Sequence, residues 1–293
     1  MADVDLSQLR ALAAVVDEGS FDAAAAALHL TPSAVSQRIK ALEQSAGRVL
    51  VRRTKPTEAT EAGHAYLRLA RQVEALVQDV RVEADPDEQR LPTIPLAVNG
   101  DSLATWVLPA LASLTGSAYF DVRREDEGRT AELLRSGTVM AAVTSDAAPV
   151  QGCRSSRLGT MRYRPMASPA FAATWFADGV DTASLAVAPV VVFDRNDDLQ
   201  DAYLRQRSRR RLDPPRQHIP ASSQFAEAIA LGLGWGMLPK EQSEEREAAG
   251  RLVNVDPARH VDVTLYWQQW TLQTRALEAT ARAIREAAAE HLT

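Results

Sequence analysis

The sequence predicts a multidomain α+β fold with three parts: an N-terminal winged helix-turn-helix, a long linker helix and a C-terminal two-lobed α/β domain. Helical apolar spacing runs from Asp5 to Gln44, and a hairpin pattern follows it. An uninterrupted helical pattern then runs from Thr60 to about Asp85, and strands alternate with helices after Pro92. The predicted domains are residues 1–60, 61–90 and 91–293, with one lobe at about 91–161 and 267–293 and the other at about 162–266.

Three short helices are predicted at the N-terminus. An apolar stripe in "DLSQLRALAAVVDEG" forms the first, and Gly19 ends it. Ser20 is a suitable N-cap for the alanine-rich second helix. Thr31 caps the third helix, and Pro32 occupies its first position, where the missing N–H costs no hydrogen bond. A tight turn before the third helix is typical of a helix-turn-helix unit.

The third helix has small and amide side chains on its polar face. A recognition helix enters the major groove of DNA with its first turns, and Ser33 and Ser36 would let the backbone approach the bases. Gln37 has both the donor and the acceptor that a bidentate contact to adenine requires. The polar surface of a small helical bundle explains this helix equally well. The predicted DNA contacts here are Thr31, Pro32, Ser33, Ser36, Gln37, Arg38 and Lys40.

Positive charge is concentrated in and behind the third helix. From Arg38 to Lys55 the chain has six basic residues and one acid, Glu43, so the local charge is +5 in a chain whose net charge is −5. A solvated surface is the ordinary meaning of such a run, and a phosphate-binding patch is the other. The stretch "VLVRRTKPTEATEAG" then predicts a β-hairpin wing. It would place Arg52, Arg53 and Lys55 against the DNA backbone or the minor groove.

The stretch "LRALAAVVDEGSFDAAAAALHLTPSAVSQRIKALEQSAGRVLVRRTKPTEATEAG" resembles the DNA-binding domain of the LysR-type transcriptional regulators. The family pattern is "F..AA..L..S.SAVS..I..LE...G..LF.R......T.AG". The matching positions are Phe21, Ala24, Ala25, Leu28, Thr31, Ser33, Ala34, Val35, Ser36, Ile39, Leu42, Glu43, Gly47, Leu50, Arg52, Thr60 and Gly63. The resemblance implies binding to double-stranded DNA. Val51 stands where the family usually has phenylalanine, and its apolar side chain is compatible with the same packing.

The predicted linker helix has an apolar stripe at spacings of three and four residues. A helix of this length beside so small a domain cannot bury its stripe alone, so we expect it to pair with the same helix of a second subunit. Packing on its own domain is the alternative. The charged segment from Glu83 to Thr93 marks the domain boundary. The predicted dimerisation residues are Tyr66, Leu69, Val73, Leu76 and Val80.

The C-terminal two hundred residues alternate short apolar runs with helices. This alternation predicts a largely parallel sheet covered on both faces, followed by a second sheet and a closing helix. Two α/β lobes with a cleft between them resemble the effector domain of the LysR-type regulators, which is similar to the periplasmic binding proteins. The resemblance therefore covers nearly the whole chain, and it implies a small-molecule effector.

The ends of the predicted strands are the candidate effector site, because ligands of open α/β sheets bind beyond the carboxyl ends of strands. The Ser102 hydroxyl at a helix start would suit a carboxylate, and the same hydroxyl would serve as an N-cap. Trp106 would supply an apolar wall, and His218 is better explained as structural. Taken singly, each acid is better explained as a surface or capping residue. The candidates are Asn99, Asp101, Ser102, Thr105, Trp106, Thr144, Asp146, Asp194, Asp197 and Ser222.

Short strings in this half resemble one branch of the family. "NGDSLATWVLPAL", "MASPAFAATWF", "VVVFDRNDDLQ", "GLGWGMLP" and "WQQW" are similar to the lysine- and arginine-responsive regulators of amino-acid export. The resemblance implies a basic amino acid, lysine or arginine, as effector and an exporter promoter as target. As a hypothesis of mechanism, we expect a homodimer, or a tetramer built as a dimer of dimers, that contacts RNA polymerase.

Other function classes find little support in the sequence. It has no G-x-S-x-G elbow, no G-x-G-x-x-G and no P-loop, and its five histidines are scattered, so we expect no enzyme, cofactor or metal site. No apolar run approaches the ~18 residues of a membrane span, no export signal is visible, and a single cysteine suits the cytoplasm. A ligand-independent architectural or replication-related DNA-binding protein remains the alternative.

Overall fold

The computed structural model describes residues 5–84, 91–125 and 127–293. Its N-terminal domain contains three helices and a two-stranded hairpin. These elements are α1 (Leu6–Asp17), α2 (Phe21–Ala27), α3 (Pro32–Ala46), β1 (Val51–Arg52) and β2 (Glu58–Ala59). Their apolar faces meet in one buried cluster that includes Leu12, Ile39, Leu50 and Leu67. The predicted winged helix-turn-helix is therefore confirmed.

Side-chain caps set the boundaries of these helices. The Ser20 hydroxyl accepts a hydrogen bond from the Ala23 N–H at 3.1 Å, which begins α2. The Thr31 hydroxyl accepts one from the Ala34 N–H at 3.2 Å, which begins α3. Gly47, at a φ of 65°, ends α3 in the left-handed conformation that glycine adopts without strain. The two caps are each worth about 0.5–2 kcal/mol, and they orient α3 relative to α2.

The wing and the long helix α4 (Glu61–Ala84) meet at a close backbone contact. The Thr60 hydroxyl accepts from the Gly63 N–H at 3.0 Å and donates to the Val49 carbonyl at 2.8 Å. A Cβ atom on Gly63 would lie 2.0 Å from the Leu50 carbonyl oxygen. Glycine is therefore required here, and the contact fixes the direction in which α4 leaves the domain.

Helix α4 has two different apolar faces. Leu67 and Ala70 are buried in the N-terminal core, and Tyr66 packs partly against it. Val73 is half-buried, whereas the remaining members of the predicted stripe are open to solvent. Their exposed fractions are 39% for Leu69, 42% for Leu76 and 64% for Val80.

Among the described residues, no helix, α4 included, is long and apolar enough to cross a bilayer.

The C-terminal half begins with one lobe and ends by returning to it. The elements of the first lobe are β3 (Thr93–Val98), α5 (Gly100–Ser102), a π-helical turn (Leu103–Val107), α6 (Leu108–Ala112), β4 (Tyr119–Arg124), α7 (Glu127–Ser136) and β5 (Ala141–Thr144). The strand β6 (Cys153–Ala167) leads to the second lobe, and β11 (Val261–Trp270) leads back to the closing helix α13 (Arg275–His291). The elements between them are α8 (Pro169–Trp175), α9 (Thr182–Val187), β7 (Val190–Val192), α10 (Leu199–Arg207), β8 (Arg216–His218), α11 (Ser222–Ala230), β9 (Gly236–Pro239), α12 (Lys240–Ala248) and β10 (Val253–Asn254).

One seven-stranded sheet runs through both lobes. Its order is β10–β6–β11–β5–β3–β4, with β9 paired to the second-lobe end of β6. The strands β4, β3 and β5 are parallel, as expected, but β11 pairs antiparallel with both β5 and β6. The prediction of a largely parallel sheet is therefore wrong at its centre. Two long antiparallel strands connect the lobes there.

Strand β6 is absent from the sequence prediction because arginines interrupt its apolar pattern. From Met161 onward, buried side chains alternate with half-buried arginines. Arg162 forms an ion pair with Asp262 of the neighbouring strand at 2.9 Å, and Arg164 pairs with Glu247 at 2.9 Å. The arginines therefore lie on the outer face, and the period of two is that of a half-buried strand.

The helix α4 also packs on the first lobe of the same chain. Arg71 forms an ion pair with Asp17 of α1 and donates to the Thr138 hydroxyl at 3.3 Å. Gly137 comes so close to α4 that an added Cβ would lie 2.8 Å from the Arg68 Cα. Arg71 thus contacts both the winged domain and the first lobe. The predicted boundary segment lies mostly outside the described residues.

Candidate nucleic-acid interface and ligand cleft

The outer face of α3 is exposed and carries the predicted polar side chains. Pro32, Ser33, Gln37 and Lys40 are exposed, as is Thr31, whose hydroxyl also lies 3.4 Å from that of Ser33. Ser36 and Arg38 are half-buried on the flank of the helix. The face opposite contributes the buried Val35, Ile39 and Leu42 to the core. The first two turns of α3 therefore present small and amide groups on a convex surface that would fit a DNA groove.

The single acid in the basic run does not weaken this surface. Glu43 Oε1 accepts hydrogen bonds from the backbone N–H groups of Leu50 at 2.8 Å and Val51 at 3.4 Å. Its charge is therefore directed at the start of the wing. The guanidinium of Arg53 stacks over the Phe21 ring, with 4.7 Å from its carbon to the ring centroid. This contact ties the wing to α2.

The predicted wing cations are all exposed. Arg52, Arg53 and Lys55 lie on or just after β1, on the same hairpin as Thr57, which is buried and holds the loop through its backbone N–H to the Gly19 carbonyl at 2.7 Å. The hairpin is therefore anchored to the end of α1, and its cations are exposed. Exposed cations of this kind suit a polyanionic partner.

The ligand cleft is a cavity of about 690 Å³ between the two lobes. It lies at the carboxyl ends of β3, β5 and β7, where ligands of α/β sheets bind. Its polar wall is acidic, and none of the described residues that line it is Lys or Arg. The apolar wall includes Phe193, Phe225, Met237 and Leu265. The polar and charged lining residues are Asn99, Asp101, Glu125, Thr130, Thr144, Ser145, Tyr163, Asp194, Asn196, Asp197, Asp198 and Gln200.

Asp101 links the two lobes across the cleft. One of its carboxylate oxygens accepts from the Ser222 hydroxyl of α11 at 2.6 Å, and the other accepts from the Tyr163 hydroxyl of β6 at 2.9 Å. Gln242 in turn donates to the Ser222 hydroxyl at 2.7 Å. Burial raises the pKa of Asp101 above its usual range, and these two hydroxyl hydrogen bonds offset part of that effect. Both of its partners are neutral, so the carboxylate charge is not compensated by them.

Asp197 is the second buried carboxylate of the cleft. It accepts from the backbone N–H groups of Phe193 at 2.9 Å and Leu199 at 3.1 Å. Burial raises its pKa, the backbone hydrogen bonds lower it, and the negative charge of Asp101 raises it further. None of the described residues that line the cavity is a cation, so these two carboxylates are suited to a positively charged ligand.

The other acids of the cleft differ in their environment. Asp194 accepts from the backbone N–H groups of Asn196 and Asp197, so it also shapes the loop. Asp198 is exposed and forms an ion pair with Arg205 at 2.6 Å, whose hydrogen bonds lower its pKa. Glu125 follows β4 and is half-buried. Within the described part of the chain, no three His, Cys, Asp or Glu side chains are grouped to hold a metal ion.

The structure places five predicted effector residues on the cavity and five elsewhere. Those on the cavity are Asn99, Asp101, Thr144, Asp194 and Asp197. Ser222 lies directly behind it and reaches the ligand site only through Asp101. Trp106 and Ser102 are fully buried, with Trp106 in the central core, and Thr105 donates to the Asp101 carbonyl at 2.7 Å. Asp146 is exposed and accepts from the Ala148 N–H, which closes a turn.

Several residues that line the cleft were missed. Tyr163 lies on β6, the strand that the sequence did not predict. Glu125 directly follows β4, whereas the predicted strand "YFDVRRED" included it, so the rule of strand ends did not select it. Gln200 lies in the first turn of α10, where an amide gives no sign of function in a sequence.

Comparison with known proteins agrees with this geometry. The family described as "Bacterial regulatory helix-turn-helix protein, lysR family" matches residues 6–64, and the family described as "LysR substrate binding domain" matches residues 87–289. The chain is 46% identical over 286 residues to "HTH-type transcriptional regulator LysG" of Mycobacterium tuberculosis strain H37Rv, covering 97% of this chain and 94% of that relative.

Two further proteins are similar over nearly their full lengths. "Lysine export transcriptional regulatory protein LysG" of Corynebacterium efficiens is 44% identical over 289 residues, covering 96% of each chain. The solved structure of full-length LysG from Corynebacterium glutamicum "with bound effector Arg" is 39% identical, covers 99% of each chain and superposes with a TM-score of 0.82. The chain belongs to the LysR family of bacterial helix-turn-helix transcriptional regulators.

Proposed function

We propose that the protein binds a basic amino acid between its two lobes and controls the promoter of an amino-acid exporter. The observation that carries the proposal is the composition of the cleft. Five carboxylates line it, those of Asp101, Glu125, Asp194, Asp197 and Asp198, and none of the described lining residues is a cation. A ligand with a positive charge supplies what this cavity lacks.

The sign of the charge in the cleft suits the two cationic groups of a basic amino acid. Such a ligand has an α-ammonium and a side-chain cation, and each needs a carboxylate when it leaves water. Asp101 and Asp197 are the buried candidates, with raised pKa values that a bound cation would lower. The relatives support the same class, since one is named for lysine export and another holds the effector arginine.

Effector binding would act on the angle between the lobes. Asp101 of the first lobe bonds Ser222 of the second, and Arg124 of the first lobe donates to the Pro220 carbonyl at 3.1 Å. A cation at Asp101 changes the strength of the first of these contacts. The effector shifts the regulator between two states only by binding one lobe arrangement more tightly than the other.

The winged domain would bind double-stranded DNA through α3 and the wing. Gln37 contacts a base edge, while the helix start and the basic side chains contact phosphates. The support is that most of these side chains are exposed and that the stretch from Arg38 to Lys55 has six basic residues against one acid. The proposed contacts are Thr31, Pro32, Ser33, Ser36, Gln37, Arg38, Lys40, Arg52, Arg53 and Lys55.

The exposed stripe of α4 would pair two subunits. Leu69, Val73, Leu76 and Val80 recur at four and three residues, the spacing of a two-stranded coiled coil, and three of them are exposed in the single chain. Tyr66 lies at the edge of this surface, against the N-terminal core. A two-fold dimer presents two recognition helices to paired half-sites. A tetramer would be two such dimers, acting on RNA polymerase in the cytoplasm.

Calorimetry tests the effector class. The full-length protein is titrated with lysine, arginine, norleucine and glutamate, and the first two are expected to bind while the neutral and acidic ligands do not. Footprinting on the DNA that flanks its own gene, with and without the bound amino acid, is expected to show a protected region that changes. Binding to DNA without any response to a basic amino acid would favour the ligand-independent DNA-binding protein.

A further inference from the structure

We infer that Gln242 is a positioning residue of the ligand cleft, which acts through the Ser222 hydroxyl and directs the proton of that hydroxyl at the Asp101 carboxylate. The inference rests on the proposed function, in which Asp101 receives a cation of the effector. It adds a residue that lies outside the cavity wall and sets how well one of the two buried carboxylates holds positive charge.

Three side chains form a chain of hydrogen bonds from α12 to the first lobe. Gln242 is the third residue of α12, and its Nε2 donates to the Ser222 oxygen at 2.7 Å. The Ser222 hydroxyl donates to Asp101 at 2.6 Å. Gln242 and Ser222 are each 8% exposed, and neither of them lines the cavity. Gln242 is therefore connected to the ligand site through Ser222.

The direction of these hydrogen bonds follows from the number of protons on each group. A serine hydroxyl has one proton, and an amide nitrogen is a donor only. Because Gln242 donates to the Ser222 oxygen, the hydroxyl proton is left for Asp101. An acceptor in place of the Gln242 nitrogen would take this proton, and Ser222 could then bond to Asp101 only if that carboxyl were protonated. A protonated carboxyl has no negative charge for a cation.

Neither helix capping nor packing explains these two polar groups. Ser222 is the first residue of α11, where no side-chain capping hydrogen bond forms. The Gln242 Oε1 is buried and accepts no hydrogen bond from any residue that the structure describes. A buried acceptor without a donor costs free energy, and an apolar side chain of the same length would avoid that cost. The donor end of the Gln242 amide is therefore the part that serves a function.

The charged groups around Asp101 do not replace this effect. Asp197, Asp194 and Glu125 line the same cavity, and their negative charge disfavours the ionised form of Asp101. Arg124 is exposed, and its guanidinium donates to a carbonyl of the second lobe at 3.1 Å. Burial raises the pKa of Asp101, and its hydroxyl hydrogen bonds are the contacts that lower it. The direction of the Ser222 hydroxyl therefore matters for the charge at this site.

The test is a double-mutant cycle, measured by calorimetry of the full-length protein with arginine and with lysine. Gln242→Met keeps the length of the side chain and removes its donor, and the affinity for both amino acids should fall about fivefold. Ser222→Ala should lower it about tenfold. In the double variant the loss should stay at about tenfold, because Gln242 has no hydroxyl left to direct. The matched controls Gln224→Met and Ser223→Ala, both exposed on α11, should change neither affinity.

The cycle separates positioning from a purely structural role. Losses that multiply to about fiftyfold in the double variant would show that Gln242 acts independently of Ser222, which overturns the inference. An unchanged affinity in Gln242→Met or in Ser222→Ala overturns it as well. If the unaltered protein binds neither amino acid, the proposed function itself fails. Should Gln242→Met not fold, Gln242→Asn has an amide that is one methylene too short to reach Ser222, and the same pattern is expected from it.

Discussion

The recognition surface on α3 and the ligand cleft differ in the sign of the charge that they leave unpaired. The winged domain exposes Gln37 among cations, and Glu43, the acid of its basic run, is held by the backbone of the wing. The cleft gathers carboxylates, and its buried pair, Asp101 and Asp197, has only neutral hydrogen-bond donors. The recognition surface therefore suits a polyanion, which would supply negative charge. The cleft suits a small cation, which would supply positive charge.

The two regions also differ in how far apart their residues lie in the chain. The recognition surface comes from residues 31–55, within one small domain. The cleft combines segments that begin at Asn99 and end at Leu265 and that meet only because β6 and β11 join the lobes. A local surface can be recognised from a motif, whereas a site between lobes depends on long-range pairing. The net charge of −5 averages over both and describes neither.

The largest effect is expected from neutralising the carboxylate that links the lobes. Asp101→Asn keeps the shape of the side chain and removes its charge. Its amide oxygen can still accept from Ser222 while its nitrogen donates to the Tyr163 oxygen, so one of the two hydrogen bonds reverses direction. The affinity for a basic amino acid should fall about 100-fold, since removing one partner of a buried charge pair costs about 2–5 kcal/mol. Calorimetry measures it, with the exposed Asp146→Asn as the matched control. An unchanged affinity would remove Asp101 from the cation site.

The next effect concerns base recognition. Gln37→Ala should cost about 1–3 kcal/mol in binding to the specific site and relax the preference for one base pair, because a bidentate contact is lost. Gln44→Ala, exposed near the end of the same helix, is the control. Binding is measured on the footprinted site and on sequences altered at single positions. If affinity and sequence preference both survive, Gln37 does not contact a base.

The next prediction concerns how effector binding in the cleft depends on pH. Burial raises the pKa values of Asp101 and Asp197, and a bound cation favours their ionised forms. Effector binding should therefore release protons and weaken as the pH falls, by up to about tenfold per pH unit for one proton. In the ligand-free protein the sign is opposite, since these groups favour folding more as the pH falls through their raised pKa values. Calorimetry in buffers of different ionisation enthalpy detects the released protons, and their absence would contradict the assignment.

The smallest effect is expected at the contact between the winged domain and the first lobe. Arg71 holds Asp17 of the winged domain and Thr138 of the first lobe, so Arg71→Ala should reduce the effect of the amino acid on DNA affinity about threefold. The exposed Arg81→Ala, on the same helix, should not. DNA affinity is measured with and without saturating amino acid. A response as large as that of the unaltered protein would show that coupling does not pass through this contact.

Much of the N-terminal domain was predictable because its signals are local. Ser20 and Thr31 are caps whose hydrogen bonds lie within three residues, and Gly47 ends α3 through its own backbone conformation. The period of the α4 stripe likewise follows from the sequence. Which side of that helix faces solvent does not, because it depends on the packing of Leu67 and Ala70 in a core built by other elements.

The cleft was predictable only in outline. The rule of strand ends selected Asn99 and Thr144, and both line the cavity because parallel strands share one edge of the sheet. The sequence could not show that the Trp106 side chain is buried in the core. It also could not show that Tyr163 donates to Asp101, because Tyr163 lies on β6, whose apolar pattern is interrupted by arginines.

The amino-acid sequence determines the helix caps, the basic recognition surface and membership of the family, because these depend on neighbours a few residues apart. The tertiary structure decides which acids share a cavity, which face of α4 remains open and how Arg71 joins the domains. These depend on contacts between residues far apart in the chain. The hydrogen bond between Ser222 and Asp101, for example, contributes to stability only after the sheet has brought the lobes together.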